Sequence, residues 1–496
     1  MKKVFTLMMI ALTAMVARAT DFDEPIVVNV NGIATTQHGV ITITKNGDGY
    51  SLTLKNFALL NAGSVIGVGN IAVEDIIPQQ AGEAVILADS RDITITDGDD
   101  PNVAFWMGPM MGPIPITLRA ALEGDRLHAV IDIDLSSSLG QIIHVSVGNG
   151  YQFPNPTFEE WHASTDKYEE PNGWHSFETA TGTLAALSGH HIEKLEDQGF
   201  NGSACARIYS TSIFGIVANG TMTTGRMNAG SMSATDTSNN AYLDTSKTDV
   251  DGNGDPFYMP LVARPDSLTL LVKFHQGKAN ADHPYATVSA AITDGTYYQD
   301  PQDKEYTNVV ATAANRQIAV TGDEWVRLSI PFEYKSSSLM PKAMLVTIST
   351  NADAGQGSDG DEVLVDNIAL VYNIGLKSLN VAGFASDKLD YEVANSMTLD
   401  EIQAVAQSSD AYVVKTLGES EDGKVQAEIA VYAADLSAVT VYTVKFMNSS
   451  VGISSVENAT SAPQYYNLGG QQLHSPRAGQ VLIVRQADGR YLKVKK

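Results

Sequence analysis

Apolar and polar residues alternate with period two along most of this chain of 496 residues. That spacing places every second side chain on the same face of a strand. Helical spacing is scarce, and 399–408 is the best candidate for a helix. Gly and Asn/Asp turn signals recur at short intervals between the alternating runs. The pattern predicts an all-β protein, and the length predicts several domains rather than one core. The clearest hairpin is 40–57, where alternating apolar residues flank Asn46-Gly47-Asp48-Gly49. Further strands are predicted at 67–76, 84–87, 92–95, 114–122, 126–133 and 141–147. About eight consecutive strands with short turns predict an up-and-down barrel over residues 21–149.

Two strings farther on, Phe158-Glu-Glu-Trp161 and the apolar run 363–372, read as the first and last strands of one β-sandwich spanning 151–373. A smaller unit follows at 374–448, with an opening strand, a Tyr-Glu-Val strand and a closing Tyr-Thr-Val-Lys-Phe strand. A polar linker at 448–463 leads into two or three short strands with a Gly-Gly turn and a basic end, a module over 449–496.

The first residues read as a secretory signal, residues 1–19. Lys2 and Lys3 precede an apolar run from Val4 to Val16, and Ala17-Arg18-Ala19 is a small-x-small cleavage site. The run is too short for a spanning helix, and no other segment is long and apolar enough to be one. The expectation is an exported protein at the cell surface, secreted or periplasmic. The sole cysteine, Cys205, excludes an intrachain disulfide and sits in a strand-like string, where it reads as a small buried apolar residue. The chain carries 32 basic and 57 acidic residues. Without the three basic residues of the leader, Lys2, Lys3 and Arg18, the net charge is −28. Such a chain repels nucleic acid and anionic lipid headgroups.

Several strings carry candidate chemistry. Asp249, Asp251, Asn253 and Asp255 stand at alternate positions with Gly254 between the last two, like the first half of a calcium loop. The bidentate Glu such a loop needs is absent, since Pro260 stands there, and Asp/Asn/Gly strings also form ordinary turns. Glu159 and Glu160 are adjacent, so on a strand they point to opposite faces and cannot be a hydrolytic pair. His162, His175, His190, His191, His275 and His283 show no metal-ligand spacing, and no nucleophile elbow or phosphate loop is present. No catalytic residue is assigned. Sugar rings stack on aromatic faces, and Trp174, Tyr297 and Tyr298 follow turn signals on loops of the sandwich, so they are the candidate ligand-binding residues. Trp161 and Trp325 lie in strand-like alternation and read as core. Phe105, Trp106, Met107, Met110 and Met111 are placed to line a barrel mouth, or to be hairpin-tip and core residues.

The strings LTLKNFALLNAGSVIGVGNIAVEDI and GPIPITLRAALEGDRLHAVIDIDL resemble the calycin-like (lipocalin-like) β-barrel domain of secreted Bacteroidetes proteins. That resemblance implies a barrel able to hold a small apolar ligand. YQFPNPTFEEW, NGTMTTGRMNAGSM, WVRLSIPFEYKSSSLMPKAMLVTIST and GSDGDEVLVDNIALVYN resemble, in order, the carbohydrate-metabolism domain of the same bacteria, which implies a jelly-roll sandwich. In jelly-roll sugar-binding modules a structural calcium often joins the first strand to the last, and Glu159 and Asp366 match that scheme by position. The alternative for Asp366 is a carboxylate capped by backbone amides or by an arginine such as Arg207. The unit at 374–448 resembles a cadherin-like or immunoglobulin-like spacer. The tail resembles the sorting module of the type IX secretion system, although Arg477-Ala-Gly-Gln-Val481 departs from the family's string after the proline. The reading that results is an exported, non-catalytic protein that binds a glycan or other extracellular ligand through its jelly-roll. A glycan-active enzyme and a structural adhesin are the alternatives.

Overall fold

The computed structural model describes residues 18–446, except 62–63, 166, 188, 214, 250–252, 383–388, 390, 395–397 and 420–424, and four short strands within 464–495. The leader before residue 18 and Asp251 of the acidic string lie outside the described residues. Strands make up nearly all the regular structure, and helix among the described residues is confined to short 3-10 turns. None of these helices is long and apolar enough to cross a membrane.

The first unit is a nine-stranded antiparallel sheet. Its strands are β1 (Arg18–Val30), β2 (Ile33–Asn46), β3 (Gly49–Asn61), β4 (Ser64–Ile76), β5 (Pro78–Ala81), β6 (Ala84–Ile93), β7 (Ile114–Glu123), β8 (Arg126–Leu135) and β9 (Gln141–Val147). They run in the order β4-β3-β2-β1-β9-β8-β7-β6-β5. The expected hairpin forms with Asn46 opposite Gly49. The two strands predicted at 84–87 and 92–95 are one strand, β6, because its ladder with β7 runs unbroken from Val85 to Ile93. Pairing of β1 with β9 closes the meander on one side. The inward set, Ile26, Ile41, Ile43, Leu52, Val73, Leu118, Ile131 and Val147, is buried and fills the interior.

On the other side, between β4 and β6, the segment after β6 crosses the opening. Asn70 and Thr96 exchange backbone hydrogen bonds at 2.8 and 3.2 Å, and Met107 N–H donates to Gly67 at 2.8 Å. This approach requires glycine. At Gly69, with φ +129°, a Cβ would sit 2.2 Å from the Thr96 carbonyl oxygen. Trp106 lies over Gly67 and Gly98, and Met111 packs partly buried against the interior, while Phe105, Met107 and Met110 are exposed.

Residues 149–373 form a two-sheet sandwich. One sheet runs Ile192–Leu195, Cys205–Tyr209, Glu362–Val371, Ser267–His275, Val326–Pro331. The other runs His175–Ser176, Thr221–Thr223, Ala343–Ser349, Ala286–Thr293, Val309–Ile318, Glu333–Tyr334, with Met259–Pro260 added beside Ala343–Ser349. Ile208, Val272, Phe274, Val363 and Val365 of the first sheet share a core with Met222, Val288, Ile292, Val346 and Ile348 of the second. The predicted last strand is therefore central in its sheet. The predicted first strand is not a ladder strand along its whole length. Phe158 has a left-handed φ of 56°, and only from Trp161 does the chain enter a short strand, Trp161–Ala163. The stretch before it lies beside the last strand through Ile368 N–H to the Pro156 carbonyl, 2.9 Å, and through Gln152, whose amide bonds both the N–H and the carbonyl of Leu370.

The third unit is a smaller sandwich. Leu376–Val381 pairs with Ile402–Ala406, and Tyr391–Ala394, Val439–Phe446, Val425–Tyr432 and Tyr412–Glu419 form its second sheet. The helix expected at 399–408 is one 3-10 turn, Leu399–Glu401, closed by a Thr398/Glu401 capping box. The chain then enters a strand because its ladder with Leu376–Val381 satisfies the backbone that a second helical turn would have used. This unit is fastened to the large sandwich. Ala433 and Ala434 are buried in the large core, Asp435 accepts from the Gln152 amide at 2.8 Å, and Asp410 accepts from Arg264 N–H at 2.7 Å. In the tail, Gln464–Tyr466, Gln472–Leu473, Val481–Arg485 and Tyr491–Lys495 form a four-stranded sheet.

The close approach at Gly69 gives a stability test. Gly69→Ala adds a Cβ against backbone at a strained φ and should cost about 1–3 kcal/mol. Urea unfolding of the full chain measures it, and a loss below about 0.5 kcal/mol would show that the crossing segment is not held there.

Candidate functional site

The hairpin Trp161–Ala163/Glu169–Pro171 and the edge strand Ile192–Leu195 border an open groove of about 510 Å³. Thr165, Lys167, Tyr168, His190, Glu193 and Lys194 line it. Strand alternation sends Glu169 outward and Glu170 inward, so Glu169 is exposed and Glu170 fully buried. The Tyr168 carbonyl accepts from Ser164 N–H at 3.0 Å, which shapes the turn and sets the tyrosine ring. That ring, 37% exposed, stacks on His190 with centroids 4.3 Å apart and planes 15° apart.

Below the imidazole lies an acidic layer. Ser176 caps the 3-10 turn Phe177–Thr179. The Glu170 carboxylate accepts from Ser176 N–H and from its hydroxyl, both at 2.6 Å, and from the Thr179 hydroxyl at 3.0 Å. Burial still pushes Glu170 above the usual carboxylate range. Glu178 has a side chain only 1% exposed; its Oε1 meets His190 Nδ1. Burial, and then the charge of Glu170, push Glu178 up to about 8. Its Oε2 is buried and takes no hydrogen bond among the described residues. Burial also lowers His190 and His191, and His191 Nδ1 pairs with the Tyr209 carbonyl at 2.9 Å. Beside the groove, Arg207 bridges Glu193 and Glu362 and lies 4.6 Å over the Tyr209 ring, whose edge meets His190. Burial and Glu193 push Tyr209 up to about 12. Of this cluster the sequence had singled out only the scattered histidines and Arg207, the latter as a candidate partner for Asp366. The available signal was Glu170 and Glu178 flanking Ser176 in a polar stretch that breaks the apolar alternation.

The predicted ligand-binding aromatics separate. Trp174 is 1% exposed and packs between Phe153 and Phe158, centroids 5.9 and 5.6 Å away, so it offers no face to a sugar. The turn before it folds Trp174 N–H onto the Pro171 carbonyl and drives the indole inward. Tyr298, 4% exposed, is also core, edge-on to Tyr306. Tyr297 is 43% exposed and stacks on Tyr242 at 5.8 Å, so it alone of the three presents a ring to solvent.

Among the described residues of the acidic string, Asp249 and Asp255 are engaged by different partners. The Asp249 carboxylate is buried and takes hydrogen bonds from His175 Nε2 and from the Arg226 guanidinium. Burial pushes Asp249 up, but the His175 bond and the charges of His175 and Arg226 outweigh it and hold the group below the usual range. Asp255 turns away to accept from Gly173 N–H at 2.6 Å, and Asn253 is exposed. Both oxygens of the first expected ligand are thus committed to His175 and Arg226.

Glu159 and Asp366 do come together. Asn367, at φ 48°, forms a bulge between the Leu271–Asp366 and Thr269–Ala369 pairings. Alternation turns Asp366 away from the core side chain of Val365, yet it is buried. Its oxygens accept from Phe200 N–H and Asn367 N–H, both at 2.7 Å, the backbone-amide capping weighed from sequence; Arg207 is engaged elsewhere. Burial pushes Asp366 up to about 6, with the charge of Glu159 adding to it. Glu159 Oε2 accepts from Ala204 N–H at 3.4 Å, while Oε1 is buried without a hydrogen-bond partner among the described residues. Cys205 is buried beside them, and burial with the charge of Asp366 pushes its thiol up to about 12, the chemistry of an inert thiol.

Residues 19–148 match a family model described as a calycin-like beta-barrel domain. The N-terminal unit is a calycin-like β-barrel domain. Folds of this kind generally bind small ligands, which makes the chain a candidate binding protein. No curated protein matches the chain. In the calycin-like domain described above, the buried aliphatic set occupies the interior and the aromatic and methionine side chains gather on the crossing segment.

The Asp249 clamp supplies a second test. Arg226→Ala leaves a buried carboxylate with half its compensation and should destabilise the full chain by about 3–5 kcal/mol. Denaturant unfolding checks it; a change under about 1 kcal/mol would mean that His175 alone satisfies the charge.

Proposed function

We propose that this is an exported, non-catalytic binding protein that takes carbohydrate in the groove of its large sandwich, a jelly-roll of the carbohydrate-metabolism type, at the cell surface, in the periplasm or outside the cell. The observation that carries the reading is the half-exposed Tyr168 ring, fixed by its stack on His190 within an open groove bordered by charged side chains. A rigid aromatic face flanked by a few polar groups is the chemistry that recognises a pyranose: the ring covers the C–H face and the polar groups meet the hydroxyls. Glu170 and Glu178, the carboxyls under the groove floor, are buried, which supports binding over hydrolysis, since neither reaches a bound sugar from above. Tyr297 marks a further exposed ring on the same sandwich.

A structural calcium at Glu159 and Asp366 belongs to the same proposal. The buried, unpaired Glu159 Oε1 and the neighbouring Asp366 carboxylate fit a hard cation, which takes six to eight oxygens and relieves the cost of burying two acids side by side. The acidic string is not part of it, because Asp249 is held by His175 and Arg226.

On a glycan array, the full chain should bind a subset of sugars, and Tyr168→Ala should weaken that binding at least tenfold (about 1.4 kcal/mol). Release of reducing ends from a bound glycan, or binding indifferent to the substitution, would overturn the reading. For the cation, millimolar calcium should raise Tm by several degrees and EDTA should reverse it, with the effect lost in Asp366→Asn. A Tm that ignores both calcium and chelator removes the metal from the proposal.

A further inference from the structure

Charge is unevenly spread along this chain. Residues 19–148, the calycin-like domain, carry 16 acidic and 5 basic residues, a net charge of −11. Residues 464–496 carry 6 basic residues (Arg477, Arg485, Arg490, Lys493, Lys495 and Lys496) and one acidic residue, Asp488, a net charge of +5. The tail thus opposes the sign of the rest of the molecule.

The segment that crosses the barrel opening between β6 and β7 holds acids and exposed apolar side chains together. Its backbone is fixed. Asn70 and Thr96 exchange hydrogen bonds and Met107 N–H donates to Gly67. The Asn56 side-chain amide donates to the Asp99 carboxylate and accepts from Asp99 N–H, both at 2.7 Å. Trp106 packs over Gly98, so the acids on either side of that glycine, Asp97 and Asp99, stand beside the indole. Both acids are exposed, and so are Phe105, Met107 and Met110, the last by 76%. No lysine or arginine stands between Asp92 and Leu118. Exposed apolar side chains on a fixed backbone mark an interaction surface, and methionine suits one because it is flexible and polarisable. The acids set the sign of the partner: an apolar face that carries cations.

The tail holds such a face. Val481–Arg485 and Tyr491–Lys495 pair antiparallel, with Leu482 opposite Val494 and Val484 opposite Leu492. Leu482 is buried, so these four positions form the inward side. On the other side Lys493 stands opposite Ile483, Lys495 opposite Val481, and Tyr491 opposite Arg485. Three cations and three apolar or aromatic residues therefore share one face of this strand pair.

We infer that the basic face of the tail, with Arg485, Lys493 and Lys495 around Ile483 and Tyr491, docks on the acidic, methionine-bearing crossing segment of the barrel in a second copy of this chain.

The two surfaces match in sign and in apolar content. Each copy carries one of each, so the contact is head-to-tail: it closes two copies on each other or runs on from copy to copy. Repulsion between two acidic copies is screened beyond about 8 Å at physiological salt, whereas cations and acids in contact lie inside that distance. The inference stands apart from the carbohydrate reading, which concerns the large sandwich.

Sedimentation velocity of the full chain over a concentration series tests it, with the methyl NMR signals of Met107 and Met110 as the local readout. At low salt the mass should rise with concentration, with a dissociation constant on the order of micromolar, and the two methionine signals should shift with it. NaCl at about 0.5 M, which screens charges beyond roughly 5 Å, should weaken association roughly tenfold or more. Lys493→Glu/Lys495→Glu and, separately, Met110→Asp should each have the same effect. Met110 is exposed, so its substitution leaves the core untouched, and thermal unfolding of each variant checks that. A single-chain mass at every concentration overturns the inference; methionine signals that still respond to Lys493→Glu/Lys495→Glu in that monomer would place the tail on its own barrel instead. Association that ignores both variants puts the contact elsewhere and overturns it too. Association weakened by Met110→Asp alone overturns the tail as the occupant of the barrel surface.

Discussion

Glu362–Val371 is the strand on which the rest of the large sandwich depends. It is paired along both flanks, with Cys205–Tyr209 on one side and Ser267–His275 on the other. A strand paired on both edges cannot shift register without breaking two ladders and turning its buried residues outward. Its one irregularity, the bulge at Asn367, is therefore fixed in place, and it delivers Asp366 against Glu159 and the loop at Phe200. The same strand carries Glu362, which with Glu193 holds Arg207 between them. The groove-bordering strand Ile192–Leu195 reaches this frame through Cys205–Tyr209. Groove and acidic pair are thus positioned by one rigid element, although they use different residues of it.

Buried charge is handled in three different ways around that frame. Against its burial, Asp249 is compensated by a bond from His175 and by the Arg226 guanidinium, which hold it below the usual carboxylate range. Asp366 is given backbone donors on both oxygens and the company of a second acid, and burial pushes it up to about 6. Glu178 has a histidine on one oxygen and a neighbouring carboxylate behind it, and burial together with that charge pushes it up to about 8. The three carboxyls are similar in burial, yet Asp249 is shifted down and Asp366 and Glu178 up, and the difference lies in what faces them.

Much of this was legible in the residues and part was not. Period-two alternation and the Asn-Gly-Asp-Gly turn located the barrel strands, since side-chain period and turn geometry are local properties. The apolar run at the end of the large sandwich was legible for the same reason. The juxtaposition of Glu159 with Asp366 came from position in a resembled scheme and is what the fold brings together. Trp174 was misplaced because a Pro-Asn-Gly turn signals a bend without saying which way the following side chain points; here it points in. The acidic string misled because ligand spacing along a chain is blind to partners from elsewhere, and Arg226 and His175 arrive from other strands. The spacing of Glu178 and His190 along the chain did not reveal their contact, since the two meet only when the 3-10 turn Phe177–Thr179 packs beside His190.

The turn carrying Ala433 and Ala434 has a consequence for how such a chain is inherited. Small side chains from the minor sandwich complete the interior of the major one, and Gln152, near the start of the large sandwich, bonds to Asp435 and Leu370 alike. A recombination that exchanged either sandwich for an unrelated module would open a gap in the remaining one and strand a polar amide at its edge. The two sandwiches are in that sense a single heritable piece, within which sequence change on either side is constrained by the other.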